Sequence, residues 1–310
     1  MNRRETKRNR WTANITLLFV TLVWGATFSL TKGALAHISV FFFLTARFLI
    51  ATVALVIGAL TVPHVRHAFT KETFFAGSFL GSLLFGGYAF QTLGLATTTP
   101  AMAGFLTGLN VVMVPLLAYP VLQRAPKGRN WTGALIAVVG LALLTGVDIR
   151  AIDRGDVLVL LCSVFLALQI VFTERYAEKM NALALTTVEI AVLTVWCTLT
   201  LWLQSFSTTT GHTVISSTGS FTSTSVWVAI LVCALPATAF AYFAQTFFQQ
   251  STSSTETAII FSMEPVFAAG IGWLSFHNVL STSGVVGCVL IFLSMWIADP
   301  SIKIRRPKMS

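Results

Sequence analysis

Ten apolar stretches follow one another along the chain and limit most strongly what it can fold into. They cover residues 14–31, 40–61, 74–95, 101–122, 131–147, 157–172, 183–203, 226–248, 257–276 and 284–298. Each is long enough to cross, or nearly cross, a hydrocarbon layer of about 30 Å as a helix. Runs such as 111–118 lack the apolar and polar alternation of barrel strands. The pattern therefore predicts an all-α integral membrane protein with ten transmembrane helices.

The composition also indicates that most of the protein surface contacts lipid rather than water. Only 10% of the 310 residues are charged, whereas a soluble domain carries about 25%. Ten spans of about 20 residues occupy roughly 200 residues, which leaves no space for a separate catalytic domain. The sequence has no metal-spaced His or Cys cluster and no glycine-rich phosphate loop after a strand. We therefore expect no enzymatic activity, no metal and no cofactor.

The net charge of +9 is distributed in the way that orients membrane proteins. Sixteen Lys and Arg residues fall on the side of the N-terminus, against Arg150 and Arg154 on the other side. Because positive residues accumulate on the cytoplasmic side, we expect both termini in the cytoplasm. Basic residues between apolar runs do not track a phosphate backbone, so no nucleic-acid partner is expected. A cleaved signal peptide is the alternative for the first run, although that run exceeds the roughly 7–15 residues of a signal core.

A duplicated motif divides the chain into two halves. Tyr-Ala-Phe-Gln-Thr at 88–92 in the third run returns as Tyr-Phe-Ala-Gln-Thr at 242–246 in the eighth. Such a recurrence, followed by further matches in the same order, indicates an internal repeat. We expect a first repeat at 12–147, with helices one to five, and a second at 156–298, with helices six to ten.

The match continues beyond this motif and sets the relation between the halves. With one gap, residues 96–99 correspond to 251–254, and 109–110 correspond to 264–265. Because each repeat holds an odd number of helices, the second repeat must cross the membrane in the opposite sense to the first. Two inverted five-helix repeats are an architecture of transporters, since rocking one half against the other exposes a central site to each side in turn.

Four further stretches point to a family. They are Trp-Gly-Ala-Thr-Phe at 24–28, Ala-Arg-Phe at 46–48, Gly-Phe-Leu-Thr-Gly-Leu-Asn-Val-Val at 104–112 and Met-Glu-Pro at 263–265. Together they resemble the EamA family of the drug/metabolite transporter superfamily, present as two EamA repeats. The resemblance implies a ten-helix carrier for small metabolites in a bacterial cytoplasmic (inner) membrane, commonly an exporter, with a central cavity between its halves. The sixth helix departs from the family, because Phe-Leu-Ala-Leu at 165–168 replaces the Trp-Gly signature.

Three ionisable residues lie well inside apolar runs, where each costs about 2.5–3.5 kcal/mol to insert. They are Arg47, Glu189 and Glu264. Arg47 fits two roles, an anchor for an anionic group of a substrate and a structural pin that pairs with another helix. Glu189 has no motif nearby and is interpreted as structural.

Prolines mark positions where the helices are expected to be irregular, and one of them follows Glu264. Pro265 follows this carboxylate directly, and a proline inside a helix removes a backbone hydrogen bond. Carriers place polar sites at such broken helices, so Glu264 is a candidate for proton coupling or for contact with a substrate ammonium. Pairing with Arg47 is the structural alternative. Pro115 and Pro236 predict kinks in the fourth and eighth helices.

Eight uncharged side chains complete the predicted substrate path. They are Trp24, Thr27, Tyr88, Gln91, Thr107, Asn110, Tyr242 and Gln245. Tyr88 and Gln91 are three residues apart and share a helical face, which Tyr242 and Gln245 repeat in the other half. Amides cannot be left unsatisfied in lipid, so these faces must turn inward. There they either bond neighbouring helices or line the central cavity.

The sequence thus predicts a secondary transporter, an exporter, that moves a small organic metabolite such as an amino acid by alternating access. Its expected partners are the small-molecule substrate, the lipid bilayer and protons as the candidate coupling ion. Two alternatives stay open. A membrane-embedded enzyme or lipid-modifying protein needs two acidic or metal-binding residues on one cavity wall, and an uncoupled facilitator or channel needs no coupling ion.

Overall fold

A computed structural model describes residues 3–123, 125–146, 153–206, 223–276 and 281–298. Within these ranges the regular structure consists of fourteen α-helices and one π-helical segment. They are α1 Arg3–Leu35, α2 Val40–Thr61, α3 Pro63–Arg66, α4 Lys71–Thr97, α5 Pro100–Gly108, α6 Asn110–Leu122, α7 Gly128–Thr145, α8 Arg154–Ala177, α9 Ala182–Phe206, α10 Thr224–Ala234, the π-helical segment Leu235–Phe240, α11 Ala241–Gln249, α12 Ser254–Phe261, α13 Glu264–Phe276 and α14 Thr282–Ala298.

These helices form ten spans. Eight helical stretches are long and apolar enough to cross a membrane, and the shorter apolar α14 forms the tenth span. The fourth span consists of α5 and α6, and the eighth of α10, the π-helical segment and α11. The ninth span is a broken helix made of α12 and α13. The predicted all-α membrane protein with ten transmembrane helices is confirmed.

The outer surface of the bundle is apolar, unlike that of a soluble protein, and its interior is partly polar. Phe75 and Val195 are 73% and 63% exposed. By contrast Gln169, Glu189 and Gln245 are at most 1% exposed. In lipid, a polar group must find its partner inside the protein. The polar side chains are therefore gathered toward the centre of the bundle.

The packing of the spans follows a pseudo-twofold axis. The fifth span packs on the tenth, the second on the seventh, and the fourth on the ninth. The third packs on the sixth, and the eighth packs on the first in the corresponding way. These are the pairs expected when the two halves are exchanged by a twofold rotation. The predicted inverted five-helix repeats are thus visible in the packing.

Short polar side chains start the helices at the ends of the bundle. Thr99 and Ser253, which lie in the repeated connection between the third and fourth helices of each half, each accept a backbone N–H at the start of α5 and α12. Asp153 and Asp156 form a capping box at the start of α8. Such caps satisfy N–H groups that have no partner within the helix. They fix where each span begins.

Glycines set the closest helix approaches. Gly140 and Gly287 meet where α7 crosses α14, and a Cβ at Gly140 would lie 2.8 Å from the carbonyl oxygen of Gly287. A Cβ at Gly81 of α4 would collide with the carbonyl oxygen of Glu189 in α9. Contact of this kind between backbones is typical of helix pairs in membranes. It holds α9 firmly against α4 beside the centre of the bundle.

Candidate functional site

All ten side chains of the predicted substrate path line one central cavity. They are Trp24, Thr27, Arg47, Tyr88, Gln91, Thr107, Asn110, Tyr242, Gln245 and Glu264, and Leu166, Gln169, Ile170 and Phe261 complete the wall. The cavity has a volume of about 40 Å³. This volume accommodates a few water molecules, whereas ligand pockets measure about 300–1,000 Å³.

Two interrupted spans meet at the cavity. In the fourth span α5 ends at Gly108 and α6 begins at Asn110, and in the ninth α12 ends at Phe261 and α13 begins at Glu264. Because α5 packs on α13 and α6 packs on α12, the two interruptions face each other across the pseudo-twofold axis. Each places the electropositive N-terminus of a half-helix near the middle of the bundle.

Hydroxyl groups hold Arg47 at one wall of the cavity. Its Nε donates to Thr238 Oγ1 at 2.9 Å, and its Nη2 donates to the Tyr88 hydroxyl at 3.3 Å. The guanidinium carbon also lies 4.7 Å from the centroid of the Tyr88 ring, which is a cation–π contact. Within the described residues no carboxylate forms an ion pair with Arg47. The pairing with Glu264 considered from the sequence is not formed.

The two tyrosines that correspond in the repeat join the halves of the protein. The Tyr242 hydroxyl donates to the Tyr88 hydroxyl at 2.9 Å. Trp24 packs against Tyr242 with ring centroids 5.7 Å apart, and its Nε1 donates to the Ala237 carbonyl oxygen at 2.8 Å. Ala237 and Thr238 both belong to the π-helical segment. The π-helical segment thus supplies a backbone carbonyl as acceptor for the indole and a side-chain hydroxyl as acceptor for the guanidinium group.

The amides around the cavity have unequal partners in the two halves. Gln91 Nε2 donates to Thr107 Oγ1 at 3.2 Å, whereas the corresponding Gln245 Nε2 donates to Gln169 Oε1 at 3.0 Å. Among the described residues, the buried Asn110 Oδ1 has no hydrogen-bond partner. A buried acceptor without a donor is costly, so Asn110 offers a ligand a favourable position for an N–H or O–H group.

Gln169 was not predicted from the sequence to line the cavity, although this residue meets the same criterion as Gln91. It is an amide inside an apolar run, but it lies in the sixth helix, which lacks the signature of the first. Glu189 stands behind it and outside the cavity lining, with its Oε1 accepting from Gln169 Nε2 at 2.9 Å. Among the described lining residues, Glu264 is the only carboxylate. The pair of acidic residues required by the enzyme alternative is not assembled there.

Two wider cavities lie on either side of the centre. One is at the end of the bundle where α1 begins, has a volume of about 330 Å³ and is lined mainly by polar groups such as Lys127, Glu174 and Gln249. The other is at the opposite end, has a volume of about 500 Å³ and is lined mainly by apolar groups such as Phe28 and Pro265. We refer to them as the polar and the apolar vestibule.

Comparison with known proteins gives consistent matches over nearly the whole chain. The model of the EamA-like transporter family matches residues 11–146 and 153–298. A protein of Archaeoglobus fulgidus named as an uncharacterized transporter is 31% identical over 287 residues, covering 93% of this chain and 85% of that protein. The uncharacterized transporter YvbV of Bacillus subtilis is 23% identical and covers 94% and 92%. A protein crystal structure at 16% identity shares the fold, with a TM-score of 0.74 over 93% of this chain and 97% of the other.

Proposed function

We propose, since the chain belongs to the EamA-like transporter family, that this membrane transporter of small molecules moves an amino acid or a related metabolite by alternating access. The observation that carries the proposal is the meeting of two interrupted spans at one cavity. Asn110 and Glu264 begin the second half-helix of each of these spans and line that cavity. Binding sites of secondary transporters are built from such discontinuous helices at the interface of inverted repeats.

The charges and rings around the cavity support a zwitterionic substrate. Arg47 supplies a guanidinium group for a carboxylate, and Glu264 supplies a carboxylate for an ammonium group. Trp24 and Tyr242 supply aromatic surface for a side chain. Thr27, Gln91, Thr107 and Gln245 supply the neutral polar groups that orient a small ligand. The proposed substrate is therefore a small organic molecule that carries both charges.

The dimensions of the three cavities support alternation between two states. The central cavity of about 40 Å³ is too narrow for such a ligand, whereas the vestibules hold about 330 and 500 Å³. A substrate can reach the centre only if the halves separate on one side. Rocking about the pseudo-twofold axis opens one vestibule while it closes the other, which is the motion that inverted repeats permit.

The distribution of basic residues supports the proposed orientation in a bacterial cytoplasmic membrane. Both termini then lie in the cytoplasm, and the polar vestibule faces the cytoplasm as well. Its lining of charged and amide groups suits the capture of a polar metabolite from the cytoplasm. We therefore assign export as the working direction, with the apolar vestibule as the exit.

A variant of Glu264 tests this function directly. The full-length protein is reconstituted in liposomes that contain a mixture of unlabelled amino acids, and uptake of the radiolabelled mixture by counterflow is measured. Glu264→Gln removes the charge with little change in volume. Because a hydrogen bond to a charged group contributes about 1.5–3 kcal/mol, we expect the uptake rate to fall roughly tenfold to a hundredfold.

Glu72→Gln is the matched control, because Glu72 is an exposed carboxylate at the start of α4. It should retain the wild-type rate. Equal amounts of monodisperse protein in size-exclusion chromatography establish that both variants fold. Counterflow of Glu264→Gln at the wild-type rate would contradict a role for this carboxylate in binding. Absence of counterflow for every amino acid in the wild-type protein would contradict the proposed substrate class.

A further inference from the structure

Glu189 is a buried carboxyl group that the proposed binding site does not use. It lies in α9, is 0% exposed and does not line the central cavity. Its Oε1 accepts one hydrogen bond, from Gln169 Nε2 at 2.9 Å. Among the described residues, its Oε2 has no partner. A carboxylate that serves only to join helices is expected to use both oxygens.

In the described part of the chain, the helices around Glu189 bring no compensating charge to it. Those that pack on α9 are α2, α3, α4 and α11, and α8 contributes Gln169. The ionisable groups on these helices that lie nearest the centre are Arg47, Tyr88 and Tyr242, which bond to one another or to Thr238. Those of α3 and of the first residues of α4 are exposed. On α8, the Glu174 carboxylate accepts the backbone N–H of Ser254.

A ladder of three amides connects Glu189 to the central cavity and to the polar vestibule. Gln169 bonds Glu189 and lines the central cavity. Gln245 Nε2 donates to Gln169 Oε1 and to Gln249 Oε1, each at 3.0 Å. Gln249 lines the polar vestibule. Glu189 is thus one side chain away from the central cavity, and the ladder continues from there to the polar vestibule.

This ladder lacks donors rather than acceptors. Within the described residues, Glu189 Oε2 and Gln245 Oε1 are both buried without a partner. One neutral amide donor does not offset the cost of burying a charge, which is several kcal/mol. A proton on Oε2 removes that charge and turns this unpartnered acceptor into a hydroxyl donor. The site has the chemistry of a proton-binding site.

We propose that Glu189 binds the proton to which transport is coupled, and that Gln169 links its protonation to occupation of the central cavity. This inference rests on the proposed transport function, because coupling requires a carried substrate. Gln169 contacts both sites, so a substrate that engages its amide changes the hydrogen bonding of Glu189. By reciprocity, protonation of Glu189 changes the affinity of the cavity.

Infrared difference spectroscopy of the purified full-length protein tests the proton site with protons as the only probe. Spectra at a series of pH values report the C=O stretch of protonated carboxyl groups. We expect a pH-dependent band from a buried carboxyl group that is lost in Glu189→Gln and retained in Glu264→Gln. Persistence of that band in Glu189→Gln, or a Glu189 band that never responds to pH, would overturn the proposal.

Transport measurements separate this inference from the proposed function. For one proton per substrate, one pH unit across the membrane supports about a tenfold concentration ratio. In proteoliposomes with the amino-acid mixture, we expect Glu189→Gln to keep counterflow at equal pH and to lose accumulation driven by a pH difference. Accumulation at the wild-type ratio in Glu189→Gln overturns the coupling role. If the wild-type protein itself shows no counterflow, the transport proposal is refuted instead. The infrared titration then decides independently whether Glu189 binds the proton.

Discussion

The Tyr88 hydroxyl is the point where the two halves and the buried cation meet. It accepts hydrogen bonds from Arg47 Nη2 and from the Tyr242 hydroxyl. Tyr88→Phe leaves both donors without an acceptor, and we expect a loss of about 2–4 kcal/mol of stability. Tyr242→Phe removes one of the two bonds and leaves the contact with Arg47 intact, so we expect a loss of about 1 kcal/mol.

Thermal denaturation of the two variants in the same detergent measures this difference. The two substitutions remove the same atom from corresponding positions of the repeat, so each serves as the control for the other. We expect a clearly lower melting temperature for Tyr88→Phe. Equal melting temperatures would show that the bond to Arg47 contributes nothing to stability.

For single residues, the sequence predicts which polar side chains face the interior better than it predicts this for apolar side chains. Gln91 and Gln245 could be assigned to the interior because an amide is costly in lipid and because the repeat presents it twice. Phe261 lines the same cavity. The chain has 25 Phe residues, and the sequence does not indicate which of them face the cavity and which face lipid. The contact of Arg47 with Thr238 could not be predicted from the sequence either, since only the fold brings together residues so far apart in the chain.

Among the elements, the contact between α1 and α13 determines where Glu264 lies. A Cβ at Gly25 would lie 2.8 Å from the Ala268 nitrogen and 2.9 Å from the Glu264 carbonyl oxygen. Both are backbone atoms that cannot rotate away, so Gly25→Ala must displace the first turn of α13. We expect counterflow of the amino-acid mixture to fall at least tenfold, because misplaced polar groups lose their contact with the substrate.

Gly33→Ala provides a control in the same helix. A Cβ at Gly33 meets no described residue within 4 Å, and alanine favours the helix by up to about 1 kcal/mol over glycine. This variant should transport at the wild-type rate and be at least as stable. If Gly25→Ala transported equally well, the position of α13 would be unimportant for binding.

The interruptions of the spans show where proline is a useful guide. Pro265 predicted the break of the ninth span, which lies directly before it. In the fourth span the break is at Leu109, and α6 continues through Pro115, so the kink predicted there is not the interruption. Neighbouring helices can satisfy the backbone groups that proline frees, which the local sequence does not reveal. At Pro236 the predicted irregularity exists as the π-helical segment.

The whole molecule is symmetric in its backbone and asymmetric in its charges. In the first repeat, Lys32 near the end of α1 donates to the carbonyl oxygens of Leu95 and Thr98, after the third span. In the second repeat, Glu174 near the end of α8 accepts the backbone N–H of Ser254, where the fourth helix of that half begins. A cation and an anion thus stabilise equivalent turns at opposite ends. Each matches the sign of the helix end it contacts.

This symmetry makes a prediction about the two faces of the membrane. Ala96 and Ser251 correspond in the repeat, and both are exposed. If the halves are inverted, the two positions lie on opposite sides. If both termini are cytoplasmic, Ser251 faces the cytoplasm and Ala96 faces the outside. Single cysteines at these positions, in a chain whose four native cysteines are replaced by serine, report the side of each.

We expect a membrane-impermeant maleimide to label Ala96→Cys in right-side-out vesicles and Ser251→Cys in inside-out vesicles. A chain that keeps the fully buried Cys162 as its single cysteine should stay unlabelled in either preparation and serves as the control for nonspecific access. Labelling of both positions from one side would refute the inverted repeat. Labelling with the two sides exchanged would preserve the repeat but place both termini outside. The polar vestibule would then face the exterior, and the assigned direction of export would lose its support.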